Sequence, residues 1–174
     1  MDQPSTILLI GLRGSGKSTL GRMLADHLGV SSQDLDALTL SRMGFATVTE
    51  AWAERGEPAF RAAEVEALKA VIERGGVVAL GGGTPTAPGG EELIRRSGAV
   101  TIYLRAQPAL LRRRLARGAG ADRPPLIGDD PIDEIERVFA LRDARHRAIA
   151  DHVVELSAHE QPGETLERLV GVIG

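Results

Sequence analysis

The sequence predicts an α/β fold, a parallel five-stranded sheet with helices on both faces, and two observations carry that expectation. Short apolar runs alternate with longer amphipathic stretches, the rhythm of strand followed by helix. Aromatic residues make up only 3% of the chain, so the core has to be built from Leu, Val, Ile and Ala, which suits parallel strands covered on both sides. A length of 174 residues fits one domain with a substantial core.

Taken in order, the strands are "TILLI" at 6–10, "VVAL" at 77–80, "VTIYL" at 100–104 and "HVVEL" at 152–156. A further strand belongs in "VSSQDLD" at 30–36, where the hydrophobic signal is poor. The helix over 17–28 places Leu20, Leu24 and Leu28 on one face, and that over 62–73 does the same with Val65, Leu68 and Ile72. Later helices are expected at 91–96, 108–117, 133–150 and 164–173. Between two of them "GAGADRPPLIGDDP" is too rich in Gly, Pro and Asp to pack as a regular element, and it reads as a lid at about residues 117–130.

The formal net charge of -3 gives no global positive field for nucleic acid, so an anionic ligand has to be met by a local cluster of Arg. Without Cys there is no disulfide, thiolate nucleophile or thiolate metal site. The acidic start and the absence of a run near 20 apolar residues predict a soluble, cytoplasmic protein with no membrane partner. The four His are scattered without metal-ligand spacing and are expected at the surface or at helix ends.

"GLRGSGKST", directly behind the first apolar run, matches G-x-x-x-x-G-K-[ST] at Gly11, Gly16, Lys17 and Ser18, with a strand before it and a helix after it. Glycines let backbone N–H groups turn toward phosphate oxygens, and the helix N-terminus adds the positive end of its dipole. Lys17 is expected to bridge the β- and γ-phosphates of ATP, and the Ser18 hydroxyl to ligate Mg²⁺. Gly14, Ser15 and Thr19 complete the nucleotide cradle. Lys17 is one of two lysines against nineteen arginines, so its position does not come from a Lys-rich background.

Such a loop does not name the acceptor. "QDLDAL" sets Asp34 and Asp36 two apart; in extended backbone both carboxylates share a face, while an acidic turn or helix cap accounts for them equally well. Arg61, at the start of a helix in "RGEPAFRAAE", is placed to fork onto a carboxylate or simply to face solvent. "VVALGGGT" ends a buried strand in Gly81, Gly82 and Gly83, bare backbone at the sheet edge where α/β folds bind ligands.

These pieces together resemble the shikimate kinase family. "GLRGSGKST", "DLD", "GEPAFRAAE", "ALGGGT", "DRPPL" and "ALRDARHRAIAD" follow the family's order from Gly11 to Asp151. The resemblance implies a three-layer P-loop kinase fold and ATP- and Mg²⁺-dependent phosphorylation of the 3-hydroxyl of shikimate by a monomer. It implies that Asp34 helps to organise Mg²⁺ and that Asp36 binds acceptor hydroxyls, as base or as positioner. It further implies that Arg61 and Arg142 grip the acceptor carboxylate, that Gly82 supplies a backbone contact, and that Arg123 swings in with the lid onto the ATP phosphates. By position Arg114 lies beside the adenine, and residues 36–62 form the acceptor-binding subregion. Trp52 and Phe60 are expected as packing residues flanking it.

The chain departs from the family after Arg142, where Asp143, Ala144, Arg145 and His146 replace a Pro-Leu-Tyr-like segment; Arg145 and Arg147 therefore stay open as the carboxylate partner. Two rivals share the loop: a kinase for gluconate or a nucleoside monophosphate, and an ATP-binding regulatory module without transfer.

Overall fold

The computed structural model describes residues 6–118, 130 and 132–174. Five parallel strands run in the order β2-β3-β1-β4-β5, with β1 Thr6–Ile10, β2 Ser32–Asp34, β3 Gly76–Ala79, β4 Val100–Ala106 and β5 His152–Leu156. Strand β1 lies where the order reverses, with two strands on either side, so the loop after it opens at the carboxyl edge of the sheet. Every residue of β1 is buried, because a central strand is covered on both faces and has no polar side to show.

The period of two divides the core. Ile7, Leu9, Val77, Ile102 and Leu104 face one layer, with α1 (Lys17–Leu28), α6 (Pro108–Leu115) and α8 (Pro162–Ile173). Leu8, Ile10, Val78, Leu80 and Tyr103 face the other, with α4 (Glu57–Arg74), α5 (Gly90–Arg96) and the end of α7 (Ile135–Ile149). Each fully buried Leu in these layers contributes about 1.5–3 kcal/mol through the apolar area it removes from water. A smaller cluster of Leu40, Val48, Ala51 and Phe60 joins α2 (Leu35–Met43), α3 (Val48–Arg55) and α4 into the helical subregion expected at 36–62.

The weak second strand is real and short. At three residues, on the edge of the sheet and partly exposed throughout, β2 has one neighbour and no buried face, which is why hydrophobicity did not mark it. Extended backbone stops at Asp34, so Asp36 projects from the first turn of α2 and the two carboxylates do not share a strand face. Helix α4 begins five residues before the expected start, since Pro58 stands in the first turn, where its missing N–H has no partner to lose. Arg61 therefore lies a full turn inside the helix and is buried. No helix among the described residues is long and apolar enough to cross a membrane.

Candidate active site

The loop after β1 turns back on itself at Gly11, whose φ is 154°; a Cβ there would meet the Leu104 carbonyl at 2.7 Å and Ser15 Oγ at 2.8 Å. Gly16, left-handed at φ 91°, then caps α1 without a side chain, leaving the helix N-terminus open toward the cavity. Within the loop the Ser15 amide donates to Leu12 O at 3.2 Å and Lys17 Nζ donates to the same carbonyl at 3.0 Å. Residues 13–20 wall a cavity of about 720 Å³ that also takes in Asp34, Asp36, Arg114 and Glu160.

Asp34 serves two neighbours. Its Oδ1 accepts the amides of Asp36 at 3.1 Å and Ala37 at 3.2 Å and so caps α2, while its Oδ2 accepts the Ser18 hydroxyl at 2.5 Å. The cap and the metal-side readings of this residue are therefore compatible. A hydroxyl and a carboxylate oxygen touching at the mouth of a helix N-terminus are hard oxygen donors of the kind that hold Mg²⁺. Arg114 Nη1 donates to Gly14 O at 3.1 Å and Ser15 O at 3.2 Å, bracing the loop from the far side of the cavity. Partial burial and the neighbouring Arg113 lower its pKa.

At the end of β3 the chain passes through Gly81, Gly82 and Gly83 into a single 3-10 turn, Thr84–Thr86. These glycines leave room for side chains that come to them. A Cβ on Gly81 would come within 2.7 Å of Asp36 Oδ1, and one on Gly83 within 2.6 Å of an Arg61 guanidinium nitrogen. Arg61 Nη1 donates to Glu64 Oε2 at 2.9 Å and its Nε to Glu57 Oε1 at 3.2 Å, while its charge lies over Trp52 at 5.4 Å and Phe60 at 5.7 Å. Glu64 is wholly buried and its second oxygen accepts the Thr84 hydroxyl at 2.6 Å.

Arg142 comes from α7 and donates to Gly82 O at 3.2 Å. Burial, then repulsion from Arg61, pushes its pKa below the usual guanidinium value. The two arginines line one narrow cavity of about 30 Å³ with Trp52, Gly82, Gly83 and Glu134. Arg13 borders both cavities, so the two compartments meet across the phosphate loop.

The expected residues thus gather at one edge of the sheet, with Asp36 on the donor side and Arg61, Gly82 and Arg142 beside it. Arg145 turns away to Glu91 at 3.0 Å, and Arg147 to Asp143 and Glu155, so of the three Arg142 lines the narrow cavity with Arg61. Arg123 and most of the expected lid lie outside the described residues.

Three comparisons with known proteins bear on this geometry. The family model described as "Shikimate kinase" matches residues 13–173. The chain belongs to the shikimate kinase family. A shikimate kinase of Chlorobium chlorochromatii is 40% identical over 96% of this chain and 90% of its own length. Shikimate kinase 2 of Yersinia pestis (strain Pestoides F) is 37% identical over 97% and 95%. Among solved structures, the shikimate kinase of Acinetobacter baumannii in complex with shikimate superposes with a TM-score of 0.88 at 27% identity, covering 98% of this chain and 93% of the other. The chain is accordingly a phosphotransferase acting on an alcohol group, and enzymes of the shikimate kinase family use ATP with Mg²⁺.

Glu64 was not among the expected site residues. Its signal was present, since a carboxylate three positions after Arg61 occupies the same helix face. His146 lies in the last turn of α7, within the helix-end expectation, yet it is fully buried, because it stands one turn beyond Arg142 on the inner side of the helix and meets the Tyr103 ring edge-on at 5.1 Å. Neither ring nitrogen has a hydrogen-bond partner among the described residues. Burial pushes its pKa down to about 3, with Arg142 and Lys17 acting in the same direction and Asp143 against.

Two outcomes follow. As pH falls through 6.5 the unfolded chain takes up a proton that the folded His146 refuses until about 3, so this group's share of stability is complete above 6.5 and declines across that window. His146→Phe is expected to flatten the fall of melting temperature between about pH 6.5 and 4; parallel curves for wild type and variant would exclude the group. Gly83→Ala places a Cβ against the Arg61 guanidinium while its own backbone, at φ -101° and ψ -12°, is ordinary for Ala. The variant is expected to fold with little change in melting temperature and to raise the acceptor KM roughly tenfold, read in steady-state kinetics.

Proposed function

We propose that this chain phosphorylates the 3-hydroxyl of shikimate, with the phosphate loop as donor grip and the Arg61–Arg142 cavity as acceptor grip. The observation that carries the proposal is the convergence of two guanidinium groups on one cavity beside Asp36, at the border of the nucleotide cavity. Shikimate is a small ring with one carboxylate and three hydroxyls. It therefore needs cationic forks at one end and a hydrogen-bond-accepting carboxylate at the other.

When bound, ATP supplies the phosphoryl group and Mg²⁺ neutralises part of its charge. Gly14, Ser15, Gly16 and Thr19 shape the cradle, Lys17 would exchange Leu12 O for the terminal phosphates, and Ser18 with Asp34 would hold the metal. Arg114 braces the loop carbonyls from beside the nucleotide. Arg61 and Arg142 orient the acceptor through its carboxylate, with Gly82 contributing backbone contact. Asp36 accepts the hydrogen bond of the reacting hydroxyl and takes its proton as the new oxygen–phosphorus bond forms and the bond to the ADP oxygen breaks. Phosphoryl transfer asks little covalent chemistry of the protein, so in-line placement between the two grips and the cation at Lys17 supply the rate. A single-domain, cytoplasmic monomer completes the reading.

Lys17→Ala is expected to lower kcat by about 10³-fold or more with shikimate and ATP, because charge stabilisation of the transferring group is lost. Turnover near wild type would overturn its assignment. Arg61→Ala and Arg142→Ala are expected to raise the shikimate KM strongly with the ATP KM unchanged, and Arg145→Ala to leave both unchanged, in a coupled assay run with shikimate, quinate, gluconate and nucleoside monophosphates. Turnover only with another acceptor would favour a different small-molecule kinase.

A further inference from the structure

Behind Arg142, on the side of α7 that faces the sheet edge, stands a cluster of charges that the site does not use. Arg105, on β4 and only 9% exposed, forks onto the next residue of α7: its Nε donates to Asp143 Oδ1 at 2.7 Å and its Nη2 to Asp143 Oδ2 at 3.1 Å. Its remaining nitrogen Nη1 donates to both oxygens of Glu155, at 3.1 Å and 2.9 Å; Glu155 is also its register partner on β5. The Tyr103 hydroxyl donates to Asp143 Oδ1 at 3.0 Å, and the Arg105 guanidinium lies over the Phe139 ring at 4.9 Å. Arg147 closes the ring, donating to Asp143 at 3.3 Å and to Glu155 at 3.3 Å.

Helix α7 needs such a fixture. It begins without a side-chain cap, and its buried residues Ile135, Val138 and Ile149 hold it by apolar contact, which sets distance but resists rolling about the helix axis weakly. A bidentate guanidinium–carboxylate pair is directional and resists that roll. Asp143 and Arg142 are consecutive, about 100° apart around the axis, so the angle at which Asp143 is pinned is the angle at which Arg142 reaches Gly82 O. Other ties of α7, Arg112 to Glu136 in its first turn and Arg145 to Glu91 and Arg95 to the Ala148 carbonyl in its C-terminal half, are exposed hydrogen bonds at the surface.

We infer that Arg105, through its paired contact with Asp143, is a positioning residue for acceptor binding: it sets the rotation of α7 and thereby aims the Arg142 fork. The inference rests on the reading of Arg142 as acceptor grip, and the experiment separates the two.

Steady-state kinetics with shikimate and ATP on Arg105→Met, Asp143→Asn, their double variant and Arg142→Ala reads it, beside thermal melts. Arg105→Met and Asp143→Asn are each expected to raise the shikimate KM roughly three- to tenfold with the ATP KM within about twofold. The double variant is expected to be no worse than the poorer single one, because one link is broken in each. Arg105→Lys, which keeps charge but not the fork, is expected to fall between. A lowered melting temperature with an unchanged shikimate KM in both single variants would overturn the inference and leave a purely structural pair. So would an equal rise in Arg145→Ala. Should Arg105→Met fail to fold, Asp143→Asn, which keeps the shape and removes only the charge, decides by the same readout. If Arg142→Ala raises the shikimate KM and the Arg105 and Asp143 variants do not, the inference alone falls; if Arg142→Ala does not, the acceptor reading falls and takes the inference with it.

Discussion

Two guanidinium groups held side by side in a narrow cavity are the constraint on which the acceptor end depends. Like charges taken from water repel and lose solvation, so each needs a partner already in place. Arg61 has Glu64, wholly buried and further tied to Thr84, while Arg142 donates, among the described residues, to Gly82 O. On the Arg142 side burial, then Arg61, pulls the guanidinium pKa down against the opposing pull of Glu57, Glu134 and Glu64. On the function proposed above, a ligand carboxylate entering between them adds negative charge to the pair, which favours an anion before any hydroxyl is read.

That arrangement places demands on the backbone around it. Gly81 and Gly83 have no Cβ because Asp36, Glu64 and Thr84 at the first, and the Arg61 guanidinium at the second, occupy the volume a methyl would need. Small residues here come from crowding by side chains arriving from α2, α4 and the 3-10 turn, and the apposition of those elements turns a sheet edge into a binding wall.

The donor half was legible in the sequence because its determinants are local: a loop, its glycines and the helix it starts all lie within a few residues. Four strands were legible because buried parallel strands are continuously apolar. Strand β2 was weak because an edge strand of three partly exposed residues carries no such signal, and of the two readings left open for the aspartates the helix cap holds, with Asp34 capping α2 and Asp36 in its first turn. His146 and the Arg105–Asp143 pair depend on which helix face meets which strand, and that information lies in tertiary packing. Arg61, by contrast, was recognised by its neighbours in sequence, although its burial came from a helix that starts earlier than its apolar spacing suggests.

Asp34 deserves a last consequence. One of its oxygens fixes the opening turn of α2, from which Asp36 projects, and the other receives Ser18 from the phosphate loop. Any ion that draws electron density from the second oxygen weakens the first as an acceptor, since both belong to one delocalised carboxylate. The turn that presents Asp36 and the Ser18 end of the phosphate loop are thus fastened to one carboxylate, so that displacing either hydrogen bond is felt at the other.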